Sequence, residues 1–241
     1  MQGNLYVGVS AQLALQRRLE TIAHNVANAS TVGFRAEEVR FETLLSQMNP
    51  DPVAFATAGP TFLARRSGEF VRTENLLDVA VEGDAWLGVQ TPAGIVYTRD
   101  GRMRMAPTGE LQTLNGYPIL DVGGTAMLLD PNAGPPRIAR DGTVTQANRQ
   151  VGAIGLFNID GRANLRRFEN SGVIPDQPAT AVVDFTRTGM QQGYVENANV
   201  NAVMEMSRLI SVTRAFEMVS ASLAASETSL QEAIKQLGST G

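Results

Sequence analysis

Along the first and last stretches of the chain, apolar residues recur by alternate steps of three and four. Between them the period drops to two. At the N-terminal end Leu5, Gly8, Gln12, Leu15, Leu19, Ile22 and Val26 follow the three-four rhythm, clean only in its second half. That spacing puts the side chains on one face of a helix. At the C-terminal end Leu209, Val212, Phe216, Val219, Leu223, Ser226, Leu230, Ala233 and Leu237 keep the same rhythm over four heptads, the signature of a coiled-coil seam. Neither glycine nor proline interrupts Val9 to Val32 or Tyr194 to Leu237, whereas all eleven prolines fall before Gly193. The pattern predicts a helix over about residues 5–27, stopped by Asn28, Ser30, Thr31 and Gly33. It predicts a second helix that starts from an Asn199 or Asn201 cap and stops at Gly238.

The middle of the chain is written differently. Residues 34–75 read as a connector in which Ala36 to Gln47, with Val39, Leu44 and Leu45 among carboxylates, predicts a short helix that Pro50, Pro52, Gly59 and Pro60 keep from extending. From Leu76 the alternation of Asp78 to Glu82, Ile95 to Thr98 and Arg102 to Met105 predicts strands, with Asp100-Gly101 as a hairpin turn between the last two. Asp141-Gly142, Asn115-Gly116 and Asp160-Gly161 are further tight-turn signals, and Ala181 to Arg187 predicts a strand leading to Gly189 and Gly193. The fold class that follows is α+β, with long N- and C-terminal helices pairing as a coiled coil around a central antiparallel β-rich domain. The expected boundaries are 1–33 for the N-terminal helical segment, 34–75 for the connector, 76–188 for the β-rich domain and 189–241 for the return segment and C-terminal helix.

The C-terminal seam is thin, since one of its two registers reads Val212, Val219, Ser226, Ala233. So little apolar surface does not offset the conformational entropy of ordering a helix of that length. A second face must therefore be covered, and Ala215, Ala221, Ala224 and Ala225, with Ala11, Ala14, Ala23 and Ala27 on the first helix, allow close helix approach. Two arrangements meet this need: a helical hairpin laid on the β domain, or termini that order only on assembly with other subunits. A helix of about 37 residues extends ~55 Å, longer than a β domain of about a hundred residues, which favours assembly. On that reading, limited proteolysis leaves a resistant fragment of roughly residues 60–190.

Composition removes several functions. A net charge of −4 with mixed signs and 6% aromatic residues offers neither a basic stripe nor a set of stacking platforms, so nucleic acid is not a partner. No cysteine is present, and His24 is the only histidine, so thiolate chemistry and multi-histidine metal sites are excluded. His24 has no nucleophile or paired acid beside it in sequence, Glu37, Glu38, Asp184 and Glu205 read as solvated carboxylates, and the single Trp86 reads as core. No catalytic constellation, cofactor site or small-molecule substrate emerges, so the chain does not read as an enzyme. No apolar run is long enough to span a membrane, and the opening residues lack the basic-then-apolar order of a cleaved secretory signal.

Three blocks carry a resemblance. The first runs from His24 through Asn25, Ala27, Asn28, Thr31, Gly33 and Phe34 to Arg35. The second joins Thr73, Asn75 and Leu77-Asp78-Val79-Ala80-Val81 with Gly83, Trp86 and Tyr97-Thr98-Arg99-Asp100-Gly101. The third is Gln192-Gly193-Tyr194-Val195-Glu196-Asn197-Ala198-Asn199-Val200, continued by Glu205-Met206, Ile210, Arg214 and Phe216-Glu217. In this order and spacing they resemble the rod and hook class of bacterial flagellar axial proteins. His24 stands where that class usually has asparagine, Ala85 where glycine is common, Leu87 where an aromatic is common, and Ala198 where serine is usual. The resemblance implies a non-enzymatic structural subunit, a proximal rod subunit ahead of a distal rod or hook-type one. It implies terminal helices that form an inner tube with an outward β-rich domain, and assembly with copies of itself and with other rod subunits. It also implies export by the flagellar type III apparatus without a cleaved signal, to the rod in the periplasmic space. On this resemblance Asn25, Ala27, Asn28, Thr31, Gly33, Phe34, Arg35, Asn199, Val200, Glu205 and Met206 serve assembly. The seams would be Leu5, Leu15, Leu19, Ile22 and Val26 on one helix, and Leu209, Val212, Phe216, Val219, Leu223 and Leu230 on the other. A secreted oligomeric module that binds a ligand through its β domain is the reading from another functional class.

Overall fold

The computed structural model describes residues 2–46 and 53–238, without the side chains of 2–5, 41–58, 230, 233, 234 and 236–238. The chain forms two compact units, one made of residues 1–27, 37–62 and 201–241 and the other of 28–36 and 63–200. Its class is α+β, two long helices with a β-rich body.

In the first unit, helices α1 (Gln2–Ala27) and α2 (Ala202–Gly238) lie antiparallel. Gln12 Nε2 donates to Ser220 Oγ at 3.2 Å, and one turn earlier Gly8 meets Leu223 so closely that an added Cβ would stand 2.5 Å from its Cδ2. Of the expected seams, Ile22 and Val212 are buried, while Leu15, Leu19, Val26, Leu209, Phe216, Val219 and Leu223 are partly buried. The side chains of Leu5 and Leu230 lie outside the described residues. The start of α2 is settled by Asn201, whose Oδ1 accepts the Met204 amide at 3.0 Å, leaving Asn199 for another task.

The stretch expected as a short helix, Ala36 to Gln47, is instead a strand, Glu37–Ser46, paired with Val53–Leu63 in a two-stranded sheet. Two tertiary factors override local propensity here. The buried side-chain amide of Asn25, in the last turn of α1, accepts the Glu37 amide and donates to the Glu37 carbonyl, both at 2.8 Å, and so pairs the first residue as a neighbouring strand would. The partner strand supplies the ladder beyond it, where Val39, Phe41 and Thr43 suit extended backbone.

The second unit is built on a six-stranded antiparallel sheet in the order Leu165–Phe168, Gly172–Pro175, Gly94–Thr98, Ala85–Thr91, Leu156–Asn158, Thr180–Ala181. Alternation divides its side chains between two cores. Leu87, Val89 and Val96 join Val79, Val81, Leu111, Ile119 and Ile154 on one face. On the other, Trp86, Tyr97, Phe157 and Val173 pack with Leu63 and Leu120, Tyr97 and Phe157 meeting edge-on at 5.5 Å. Val79–Glu82 pairs with Gly189–Gln192, and Phe70–Arg72 pairs with Tyr194–Glu196.

Two turn and strand expectations differ from the structure. Asp100-Gly101 does not join a hairpin: Gly94–Thr98 folds back on Ala85–Thr91, and Met103–Met105 pairs forward with Leu111–Thr113. Here the chain passes so close to Val79 that a Cβ on Gly101 would lie 1.9 Å from the Val79 carbonyl oxygen. Its echo Asp141-Gly142 is a true turn, with Gly142 at φ +83 between Arg137–Ile138 and Thr143–Gln146. The strand expected over Ala181 to Arg187 is confined to Thr180–Ala181, because the Asp184 carboxylate accepts the Thr186 amide at 2.9 Å and its hydroxyl as well, closing a turn.

Candidate functional site

The three sequence blocks meet at one buried carboxylate. Glu196, at the end of the Tyr194–Glu196 strand, is fully buried. Arg99 Nε donates to its Oε2 at 2.8 Å, Arg35 Nη1 stands 2.7 Å from its Oε1, and the Gly68 amide donates to Oε1 at 2.8 Å. Arg35 is 2% exposed and Arg99 1%. Arg35 comes from the first block, Arg99 from the second and Glu196 from the third.

The backbone around this triad explains why these positions hold these residues. Gly33 takes φ +71 and its amide donates to the Glu196 carbonyl at 2.7 Å, while a Cβ there would lie 2.3 Å from the Asp100 nitrogen. Both the conformation and the space demand glycine. Thr31 N bonds the Asn28 carbonyl at 3.0 Å and Thr31 Oγ1 the Asn28 Oδ1 at 3.2 Å, shaping the turn that delivers Phe34 and Arg35 inward. Phe34 is fully buried beneath the Arg167 guanidinium, 4.3 Å from its ring centroid, and Arg167 Nη2 donates to the Arg35 carbonyl at 2.6 Å. Asn199 is the second clamp. Its Oδ1 accepts the Ala36 amide at 2.7 Å, and its Nδ2 donates to the carbonyls of Ala64 at 3.2 Å and Arg66 at 2.8 Å.

Electrostatically the site is unbalanced. Two guanidiniums share one carboxylate, and both sit over the Trp86 ring, Arg35 at 5.6 Å and Arg99 at 5.8 Å from its centroid. Burial pushes the Arg99 guanidinium down to about 10, opposed by Glu196 and reinforced by the neighbouring charge of Arg35. Arg99 also donates from Nη1 to the carbonyls of Gly83, at 2.9 Å, and Ala85, and from Nη2 to Ser67 Oγ at 3.1 Å.

The remaining expected assembly residues are placed apart from the triad. Asn25 holds Glu37, as described, and Ala27 closes α1 exposed. Val200 is partly buried, Glu205 is buried and paired with Arg208, and Met206 is exposed. His24 Nδ1 stands 3.6 Å from Glu37 Oε2. Arg99 and Glu196 were legible only as parts of motif blocks, whereas Trp86 was legible as core, where it lies 3% exposed. The signal for the charged pair was opposite charges in separate blocks of a chain whose ionisable residues are otherwise interspersed.

Among the described residues no group of three or more histidine, cysteine, aspartate or glutamate side chains converges on one point. A cleft of about 410 Å³ lies on the second unit, but the charged groups lining it are engaged with neighbours. Arg102 is paired with Asp100 at 2.7 Å, and Glu169 accepts from Tyr117 at 2.7 Å and Asn115 at 2.9 Å. Among the described residues no helix is long and apolar enough to cross a membrane.

Comparison with known proteins matches the ends and part of the centre to three family models. These are the flagella basal body rod protein over residues 5–35, the flagellar hook protein FlgE/F/G D1 domain over 80–146, and the flagellar basal body rod FlgEFG protein C-terminal region over 191–236. The chain is 49% identical to the flagellar basal-body rod protein FlgF of Mesorhizobium japonicum and 44% identical to that of Rhizobium meliloti, each over 99% of both chains. It is 31% identical to the flagellar basal-body rod protein FlgG of Bacillus subtilis, over 97% of this chain and 98% of that one.

Proposed function

The chain belongs to the family of flagellar basal-body rod proteins and is a structural subunit of the flagellar rod, and from that premise we propose that it builds the proximal segment. The observation that carries the placement is the full-length identity of 49% to a FlgF protein, the proximal kind, against 31% to a FlgG protein, the distal kind. The subunit polymerises through its terminal helices and passes torque outward from the motor to the hook and filament. Residues 1–33 and 189–241 form the inner tube as a coiled-coil pair, 76–188 face outward and 34–75 connect them. The helices support this reading, because Leu13 is 63% exposed, Ile210 56% and Met218 67%. Such apolar side chains, on faces that the partner helix leaves uncovered, call for further subunits as cover. The partners are other copies of the chain, other rod subunits and the flagellar type III export apparatus, which delivers it to the periplasmic rod without cleavage.

A density map of basal bodies isolated from cells carrying a tagged copy of the chain tests the placement. Density for the tag at the membrane-proximal end of the rod is the expected result. Density next to the hook would overturn it in favour of the distal reading.

A further inference from the structure

Beside the triad the second unit opens a cleft of about 140 Å³ lined by Arg35, Arg65, Asp84, Trp86, Arg99 and the edge glycines Gly83 and Gly161. Its charge is not balanced. Arg35 and Arg99 face the single buried carboxylate of Glu196, and Arg65 adds a third guanidinium, held by the carbonyls of Ile159 at 3.2 Å, Asp160 at 2.8 Å and Ala163 at 2.9 Å. Of the nearby acids, Asp84 lines the cleft and the Asp160 carboxylate interacts with Arg65; both are exposed, so water screens most of their charge. Arg35 is also incompletely satisfied. Its buried Nε has no hydrogen-bond partner, and Nη1, although 2.7 Å from Glu196 Oε1, is misaligned for a hydrogen bond. A buried guanidinium with an unused donor is costly unless an anion or another acceptor completes it.

We infer that this cleft is an anion site that binds a carboxylate, seated against Arg35 and Arg99 beside Trp86. The volume admits only a small group, being well under the roughly 300 Å³ at which pockets for drug-sized ligands begin. Planar, forked guanidinium donors match a carboxylate in shape as well as charge. Two sources offer that chemistry: a free small carboxylate, or an aspartate or glutamate side chain of a second copy of this chain.

Trp86 is the only tryptophan, so its fluorescence reports the cleft directly in the full-length protein. Replacing sodium chloride by sodium acetate at fixed ionic strength is expected to give a saturable change in Trp86 emission. In acetate-free buffer, raising the protein concentration until copies self-associate tests the second source. A change with acetate alone assigns the site to a free carboxylate, and a change with concentration assigns it to a side chain of a neighbouring copy. No change in either series means that solvent alone fills the cleft and overturns the inference. Asp84→Asn removes the competing acid at the mouth and is expected to tighten acetate, or lower the concentration midpoint, by about two- to threefold; an unchanged or weaker response overturns it. Arg35→Gln is expected to abolish the response. Should that variant fail to fold, the Asp84→Asn comparison still decides.

Discussion

Arg99 Nε and Glu196 Oε2 stand 2.8 Å apart with neither residue more than 1% exposed, and the same carboxylate is shared with Arg35. Removing one partner of a buried charge cluster leaves the others uncompensated, which is why such clusters are fragile even where their net contribution is small. Glu196→Gln is nearly isosteric but neutral, and it strands two buried guanidiniums. It is expected to destabilise the fold by about 3–5 kcal/mol, read as a lower urea midpoint.

Gly33 is constrained twice, by φ +71 and by the Asp100 nitrogen 2.3 Å from where a Cβ would be. Gly124 has a similar φ of +81 with nothing within 4 Å. Gly33→Ala is expected to cost more than about 2 kcal/mol and Gly124→Ala about 1 kcal/mol, since only the first adds a steric clash to the left-handed penalty. Equal losses in paired denaturation curves would mean that the contact with Asp100 relaxes without cost.

Asn199 and Asn201, two residues apart, do different work. Asn199→Ala removes three bonds that tie Phe34-Arg35-Ala36 and the Ala64 to Arg66 segment together, and is expected to cost about 2–4 kcal/mol. Asn201→Ala removes one helix cap, at about 1 kcal/mol. Thermal unfolding of the two variants side by side checks the order.

The same clamps set where proteolysis stops. A resistant core read from periodicity alone spans roughly residues 60–190, which would discard Arg35, Glu196 and Asn199. Because those residues lie inside the second unit, we expect trypsin to trim the helical ends of the monomer and leave a fragment bounded near residues 28 and 200. Mass spectrometry of the limit digest reads the boundaries; a fragment lacking Glu196 contradicts them.

How much of this was legible in the sequence depended on whether the signal was local. The two helices follow from three-four spacing, broken only at polar or small seam positions such as Gly8, Gln12 and Ser226, and the β-rich body follows from alternation and turn residues. Glu37–Ser46 was not legible as a strand, because what makes it one is the Asn25 amide and a partner strand. The two Asp-Gly pairs looked alike, yet only Asp141-Gly142 turns a hairpin. What separates them is the approach of Val79 to Gly101, a contact between segments far apart in the chain. The triad lay one step further off: each of its residues was visible in a block, but no spacing rule states that three blocks converge on one carboxylate.

That convergence also sets an order in time. A chain emerging N-terminus first presents Arg35 and Arg99 long before Glu196, so a piece that ends between residues 99 and 196 holds two guanidiniums without the carboxylate they share. A chain cut short near residue 190 loses Tyr194–Glu196 and most of Gly189–Gln192, the partners of Phe70–Arg72 and Val79–Glu82, together with the counter-charge of Arg35 and Arg99.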